Sequence, residues 1–376
     1  MGNSRERMAY IASSYAAQHD GISVYLENVL YELSLLECIA IDVYIKKSVK
    51  EKLISRIGQN SNLKDINFIS LPDRLILHII LLNYYINIKR YVLVFSPSLT
   101  PVLSIRNRSM KVIHDVTYKV FSKSLSFLKR SYKSLLFWLL NFDDYYGYIS
   151  KPTLEQINAL TTLHRHNKPF ILLSNGIPLQ TRLFFESFNS DSIKYKKNTN
   201  IELLFVGSLN YHKGLDKVLE FTSLMSAKVT KPIVLRLVGK ETLDTKDIMQ
   251  KYIYNSDFEL DIKGYVSDSE LYELYAQSKY ILFFSHSEGF GLPVVEAGFF
   301  NTFPILSDLP VFKQLTNNAL FYYSYERDNL DEIVDNIVNL EEDGKNQYFS
   351  VIESMCDKYK KEYSNSAKRI CELIKF

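Results

Sequence analysis

Two carboxylates eight residues apart, Glu288 and Glu296, mark the most chemically suggestive stretch of the chain, YILFFSHSEGFGLPVVEAGFFNTFPILSDL (Tyr280–Leu309). An ionised carboxylate only accepts hydrogen bonds, so it suits the vicinal hydroxyls of a ribose or a hexose. Glu296 stands inside the apolar run VVEAGFF, where an unpaired carboxylate is costly to bury, so it needs a partner or a ligand. A second candidate is Lys213 in FVGSLNYHKGLDKVLEF, at the mouth of a helix that begins near Gly214. A lysine beside a helix N-terminus is an anion site apt for phosphate, although the G-x-x-x-x-G-K-[ST] phosphate loop is absent. His114 closes an apolar run in KVIHDVTYKVF and faces an interdomain cleft if the sheet is parallel. Gly21, in QHDGISVYLENVL, lies between a strand and a helix, where a dinucleotide fold keeps its phosphate turn, but G-x-G-x-x-G is missing. Each residue also has a plainer reading: a solvated loop carboxylate, a turn lysine, a histidine satisfied within the core, or a glycine serving a tight turn.

The elements that must position these residues read as alternating strands and helices. Strand-like runs are expected at Met8–Ala12, Ile39–Ile45, Ile66–Leu71, Tyr91–Phe95, Lys111–His114, Tyr145–Ile149 and Phe170–Leu173. A second series begins at Ile201 and continues through Pro232–Val238, Phe258–Lys263, Tyr280–Phe284, Phe303–Leu306 and Ala319–Tyr323. Alternation of this kind predicts two doubly wound, parallel-sheet, Rossmann-like domains in tandem. We expect the first over residues 1–178, a polar linker at 179–200, the second over 201–343, and a charged helical tail at 344–376 that returns to the first domain. Glycine is scarce at 13 residues, yet Gly207, Gly239 and Gly264 each end a strand-like run, and Gly289 and Gly291 follow the next. Ligands of open parallel sheets bind at that carboxyl edge.

Composition narrows the classes. A chain of 376 residues with 47% hydrophobic content is expected to form more than one core. A formal charge of +3 argues against a nucleic-acid partner. Three widely spaced cysteines, Cys38, Cys356 and Cys371, suggest neither a disulfide framework nor a metal site, which fits a reducing cytoplasm. No apolar run is long enough to span a bilayer, and no signal peptide is visible, so any membrane contact is expected to be peripheral. One segment invites such contact. No acid lies between Asp115 and Asp143, whereas Lys119, Lys123, Lys129, Arg130 and Lys133 interleave with Phe121, Leu125, Phe127, Leu128 and Trp138. A basic amphipathic helix of this kind lies on anionic membranes, or else simply packs its apolar side into the domain. Asp143–Asp144 reads as a loop or cap, and His164 and His166 as a surface loop.

Taken together and in order, these motifs resemble glycosyltransferase family 4, the retaining group 1 glycosyl transferases of the GT-B fold. SEGFGLPVVEAGFF is similar to the family's E-x7-E signature, and FVGSLNYHKGLDKVLEF to its phosphate-binding strand-loop-helix. HDGISVYLENVLYEL resembles its N-terminal glycine loop, VIHDVT its histidine strand, and LLSNGIPL its turn at the domain junction. The resemblance implies that Glu296 holds the donor ribose, and that Glu288, with the backbone of Gly289, Phe290, Gly291 and Leu292, holds the donor sugar. It implies that Lys213 neutralises the diphosphate beside Gly207 and Ser208, that the Gly21 loop approaches it, and that His114 sits by the transferred sugar once the domains close. Tyr265 and Val266 are the expected base contacts. Family members need no metal and no cofactor beyond the nucleotide-sugar donor. Ser208 stands where many members carry arginine, leaving His212 as a substitute cation, and Gln314 stands where an acid is frequent.

The expected reaction is retaining transfer of a sugar from a nucleotide-diphosphate sugar to an acceptor hydroxyl. The basic segment, with Trp138, points to a lipid-linked saccharide acceptor in bacterial surface polysaccharide assembly, at the inner face of the cytoplasmic membrane. The alternatives are a nucleotide-sugar epimerase or phosphorylase on the same fold, or a non-catalytic sugar-nucleotide binder at the membrane surface.

Overall fold

The computed structural model describes residues 6–375, apart from 17–19, 37, 59–62, 117, 118, 120–126, 188–199, 251, 253–256, 319, 321, 327 and 341, and apart from the side chains of 342–347. The chain divides into two units, Met1–Gly176 with Lys361–Phe376, and Ile177–Lys360.

In the first unit the described strands are β1 (Arg7–Ile11), β2 (Ala40–Lys46), β3 (Ile66–Leu71), β4 (Leu93–Ser96), β5 (Ser109–Ile113), β6 (Tyr145–Tyr148) and β7 (Phe170–Leu172). They form one parallel sheet in the order β3-β2-β1-β4-β5-β6-β7. The helices are α1 (Gly21–Leu35), α2 (Lys50–Ile57), α3 (Leu75–Ile88), α4 (Phe127–Leu139), α5 (Lys151–Leu160) and a C-terminal helix described below. The central strands bury apolar residues on both faces, as β1 shows with Met8, Ala9, Tyr10 and Ile11 all buried, because helices cover both sides. Strand order reverses between β1 and β4, so the carboxyl ends of those two strands flank a crevice.

The second unit repeats the plan. Strands β8 (Ile201–Val206), β9 (Ile233–Val238), β10 (Glu259–Gly264), β11 (Tyr280–Phe283), β12 (Phe303–Ser307) and β13 (Tyr322–Tyr323) are parallel, in the order β10-β9-β8-β11-β12-β13. Helices α6 (Leu179–Ser187), α7 (Leu215–Ser226), α8 (Thr245–Met249), α9 (Asp268–Gln277), α10 (Leu292–Phe299), α11 (Pro310–Leu315), α12 (Leu330–Val338) and α13 (Glu342–Tyr359) surround them. Here the order reverses between β8 and β11. The core beneath is aromatic: Phe221, Phe284 and Phe205 are almost wholly buried, each contributing about 1.5–3 kcal/mol of transfer free energy.

All the strands read from the sequence are present, with ends shifted by a few residues. Other expectations are revised. The stretch read as a linker begins with helix α6, whose Thr181 is buried against α9 and α10, while 188–199 lie outside the described residues. The charged tail is two helices with different allegiances. α13 packs on α10 of its own unit, and only α14 (Glu362–Ile374) lies on α1. Within the first unit α14 is fixed by Ser366 Oγ donating to Ser174 O at 3.0 Å and Arg369 donating to Leu172 O at 2.9 Å. Cys38 and Cys371 are joined as a disulfide, which corrects the reading that the cysteines form none; only Cys356 is free, and it is buried. With that pair joined, the cysteines no longer argue for a reducing compartment.

Candidate active site

Residues from the ends of β8 and β11 meet at the point where the second sheet reverses. β8 runs into Gly207, and a Cβ at Gly239, which follows β9, would stand 1.9 Å from Gly207 O, so only glycine lets these strand ends lie so close. The loop then forms a short 3-10 turn at Tyr211–Lys213, capped by Asn210 Oδ1, which accepts from Lys213 N at 2.9 Å. Gly214 follows with φ of +73°, and a Cβ there would lie 2.1 Å from Phe284 O. Glycine therefore allows the turn before α7 to press against the end of β11. His286 N completes the junction by donating to His212 O at 3.0 Å.

This backbone arrangement aims Lys213 at the loop after β11. Its Nζ lies 2.5 Å from Glu288 Oε1, which also accepts from Ser285 Oγ at 2.8 Å. The side chains of Lys213 and Glu288 keep 25% and 13% of their exposure, so the pair is sheltered but reachable. Cation and carboxylate, assigned separate tasks from the sequence, here hold each other. An entering anion would compete with Glu288 for the ammonium.

Glu296 faces inward from α10 and is buried. Tyr275 OH of α9 donates to its Oε2 at 3.1 Å, and Thr181 of α6 donates to its Oε1 at 3.3 Å. The partner that its burial demanded is supplied by the protein. Burial, and then the neighbouring Glu296 charge, drive the Tyr275 phenol well above its ordinary pKa, keeping it a donor. Gly291 caps α10, placing Leu292 at its first position, and buried Phe290 packs edge-on against Tyr359, ring centroids 5.3 Å apart. Gly289 lies between Glu288 and Phe290 in the same loop.

Ser208 follows Gly207 directly in that crevice, and its carbonyl accepts from Asn210 N at 2.9 Å. Tyr265 and Val266 follow β10, the edge strand, which β9 separates from β8; Tyr265 is exposed. The structure therefore gathers Gly207, Ser208, Lys213, Glu288 and the Gly289–Leu292 loop at the reversal point and leaves the Tyr265–Val266 pair two strands away.

In the first unit, Gly21 opens α1 behind Asp20, whose Oδ1 accepts from Ser23 N at 2.8 Å. His114 follows β5. Its Nε2 lies 2.7 Å from Pro97 O, and a carbonyl only accepts, so Nε2 carries the proton and Nδ1 is left as an acceptor. Tyr25 packs edge-on against the ring at 4.8 Å. Burial holds the His114 pKa below the ordinary histidine value, partly opposed by the Pro97 hydrogen bond and by Asp115 and Asp20. At the β1/β4 reversal, Ser98 Oγ donates to Ser14 Oγ at 2.6 Å, and Ser13 Oγ lies 2.8 Å from His78 Nε2.

Of the basic segment, Lys119 and the α4 residues Lys129, Arg130 and Lys133 are exposed, Trp138 is 55% exposed, and Lys123 lies outside the described residues. Asp143 is no simple loop residue: it is buried in an ion pair with Lys111 at 2.8 Å. His164 and His166 lie exposed in a 3-10 turn at Leu163–His166. Among the described residues, no group of three or more His, Cys, Asp or Glu is placed to hold a metal ion.

Several residues of these sites escaped the sequence reading. Asn210 was detectable as a capping residue three positions before Lys213. Tyr275 and Thr181 were not, because their relation to Glu296 exists only once separate elements pack, whereas Ser285 stands three positions before Glu288 in the same loop.

Comparison with known proteins agrees with this architecture. Residues 187–359 match the family described as glycosyl transferases group 1. The serotype-specific mannosyltransferase WbdA of Escherichia coli is 32% identical over 126 residues, 33% of this chain and 15% of WbdA. The O-antigen chain mannosyltransferase RfbU of Salmonella typhimurium is 26% identical over 202 residues, 52% of this chain and 55% of RfbU. The chain thus spans about half the length of RfbU and far less of WbdA. Among solved structures, Anabaena Alr3699/HepE in complex with UDP and glucose superposes with a TM-score of 0.68 at 11% identity, over 98% of this chain and 99% of that one. That likeness shows the fold, two parallel α/β units of the GT-B type.

Proposed function

We propose, from the premise that this chain belongs to the glycosyl transferases group 1 family through residues 187–359, that it transfers a hexosyl group from a nucleotide-diphosphate sugar to an acceptor hydroxyl with retention. The observation that carries this reading is the Lys213–Glu288 pair, 2.5 Å apart across the β8/β11 reversal. In the reaction the bond from the anomeric carbon to the diphosphate oxygen breaks, and a bond to the acceptor oxygen forms on the same face. The acceptor proton passes to the departing phosphate. Lys213 and the first turns of α7 and α10 supply fixed positive potential where negative charge develops. Glu288 takes a sugar hydroxyl, Glu296 the ribose, and His114 and Gly21 serve the sugar and diphosphate from the first unit. Tyr265 and Val266 are the candidate base contacts. WbdA and RfbU are mannosyltransferases, so a mannosyl donor is the first to test, and UDP-glucose the second. The acceptor is a lipid-linked saccharide of bacterial surface polysaccharide, met at the cytoplasmic face of the membrane, where exposed α4 makes contact. No described helix is long and apolar enough to cross a membrane.

The test is acceptor-dependent release of nucleoside diphosphate from a panel of nucleotide sugars and polyprenyl-diphosphate-linked saccharides. Lys213→Met and Glu288→Gln are each expected to lower turnover by about a hundredfold or more. Glu296→Gln, which preserves a partner for Tyr275, is expected to weaken donor binding with the fold intact. Glu296→Ala is a poorer probe, since an orphaned Tyr275 hydroxyl would cost about 1–3 kcal/mol by itself. Tight donor binding with no turnover on any acceptor would favour the sugar-nucleotide binder instead.

A further inference from the structure

Helix α3 carries an apolar surface that its own unit does not cover. Its sequence, LILHIILLNYYINI, buries His78, Leu82 and Ile86. Ile76, Ile80, Tyr84 and Ile88, at intervals of four, form a stripe on the outer side; Ile76 is 75% exposed, and Ile105, whose backbone N donates to Asn87 Oδ1 at 2.8 Å beside the helix, is 77% exposed. A soluble surface seldom shows so many large apolar side chains together without a partner.

Strand register places α3 and α4 on one face of the sheet. Leu82 and Ile86 of α3 pack with Ala9, Ile11 and Val94, while Phe137 of α4 packs with Ile113 and Tyr146. Val94 pairs with Ser109, and Lys111, two residues on and hence on the same side, pairs with Tyr146. The two helices therefore cover neighbouring strands from the same side. The outer side of α4 is apolar as well, with Phe127 71% and Leu128 79% exposed, and Tyr132, Leu135 and Trp138 also outward.

Charge identifies the occupant. The whole chain is nearly balanced, with 45 basic and 42 acidic residues, but from Arg74 to Phe142 there are 11 basic residues and a single acid, Asp115; of these cations Lys111 is buried against Asp143 and Lys89 also reaches Asp42 at 3.3 Å. Arg74, Lys89, Arg90 and Arg106 border the α3 stripe, and Lys129, Arg130 and Lys133 rise from α4, all exposed. A nucleic acid would satisfy the cations and leave the isoleucines in water. A second copy of the same face would cover the isoleucines but set cation against cation. An anionic bilayer satisfies both, taking apolar side chains below its headgroups and lysine and arginine among its phosphates.

We propose that α3 and α4 together form one bilayer-docking face, in which α3 inserts its Ile76–Ile80–Tyr84–Ile88 stripe among anionic lipids. This extends the membrane contact assigned above to α4 alone, and it does not require that sugar transfer be correct.

The experiment uses the full chain with vesicles of phosphatidylcholine alone or mixed with phosphatidylglycerol, with no donor or acceptor present. Binding is expected to need the anionic lipid and to weaken with salt. Ile76→Asp/Ile80→Asp should lower vesicle partitioning by about tenfold or more while melting temperature and donor binding stay unchanged. Trp138 is the chain's single tryptophan, so brominated lipid reports α4 directly. In an Ile80→Trp/Trp138→Phe variant the same quenching reports α3, whether or not the charged variant folds. Strong quenching at position 80 is the expected result. Loss of binding only with Lys129→Glu/Arg130→Glu/Lys133→Glu, and no quenching at position 80, overturns the role of α3 and leaves that of α4. A dimer in solution that Ile76→Asp/Ile80→Asp dissociates, with no vesicle binding, overturns the proposal entirely.

Discussion

At the scale of single residues, burial turns generic side chains into specific ones. His114 and His78 are both held below the ordinary histidine pKa of 6.5, in each case chiefly by burial. The unfolded chain therefore takes up protons first as pH falls through about 6.5, and stability is lost from there down to the depressed folded values. His114→Gln keeps a donor for Pro97 O and cannot titrate. It is expected to reduce the fall in melting temperature between about pH 7.5 and 5.5, a window above carboxylate titration. An unchanged fall would show that His114 is not held neutral. Residue identities at the candidate site were largely legible: Glu288, Glu296 and Lys213 stood out by type and setting. That Lys213 bonds Glu288, and that Tyr275 and Thr181 satisfy Glu296, was not legible, since those partners lie 75, 21 and 115 positions away.

At the scale of elements, two glycines that look alike in the sequence have different roles. Gly214 has φ of +73°, and its Cβ would strike Phe284 O. Gly214→Ala is expected to cost about 2 kcal/mol or more, seen as a lower denaturation midpoint of the second unit. Gly21, at the start of α1, has nothing within 4 Å of a Cβ built on it. Gly21→Ala should leave stability within about 0.5 kcal/mol of the parent. If transferase activity nonetheless falls, the position is kept open for a ligand; unchanged activity removes Gly21 from the site. Strands were legible because alternating strand and helix segments with apolar runs leave few alternatives. Helix α6 was not, since polar composition around it suggested a linker, while its packing, which includes Thr181 and the rings of Phe184 and Phe185, is set by distant residues.

At the scale of the molecule, the C-terminal segment is shared out between units. α13 stays with α10, and α14 is held on α1 by hydrogen bonds and by the Cys38–Cys371 disulfide, which closes a loop of 333 residues. A covalent link over so long a loop restricts the unfolded chain and is worth up to about 4 kcal/mol. Thiol titration of the denatured, unreduced protein is expected to find one reactive thiol, Cys356, rather than three. The oxidised protein should melt above the reduced one. A count of three in protein prepared without reductant would remove the link. Cys356 in the native chain should react slowly at neutral pH, because burial pushes its thiol up to about 12.

The sequence by itself determined the two-fold repetition of a parallel α/β plan, the identity of the glutamates and lysine at its second reversal point, and the concentration of cations between Arg74 and Phe142. Periodicity, residue type and local charge are properties of neighbours along the chain, and they survive in one dimension. Only the tertiary structure decided which hydroxyls hold Glu296, that Lys213 and Glu288 grip each other, that Cys38 meets Cys371, and that α3 and α4 share an uncovered face. Those are relations between residues far apart in sequence, set by strand order and register, and no local pattern records them.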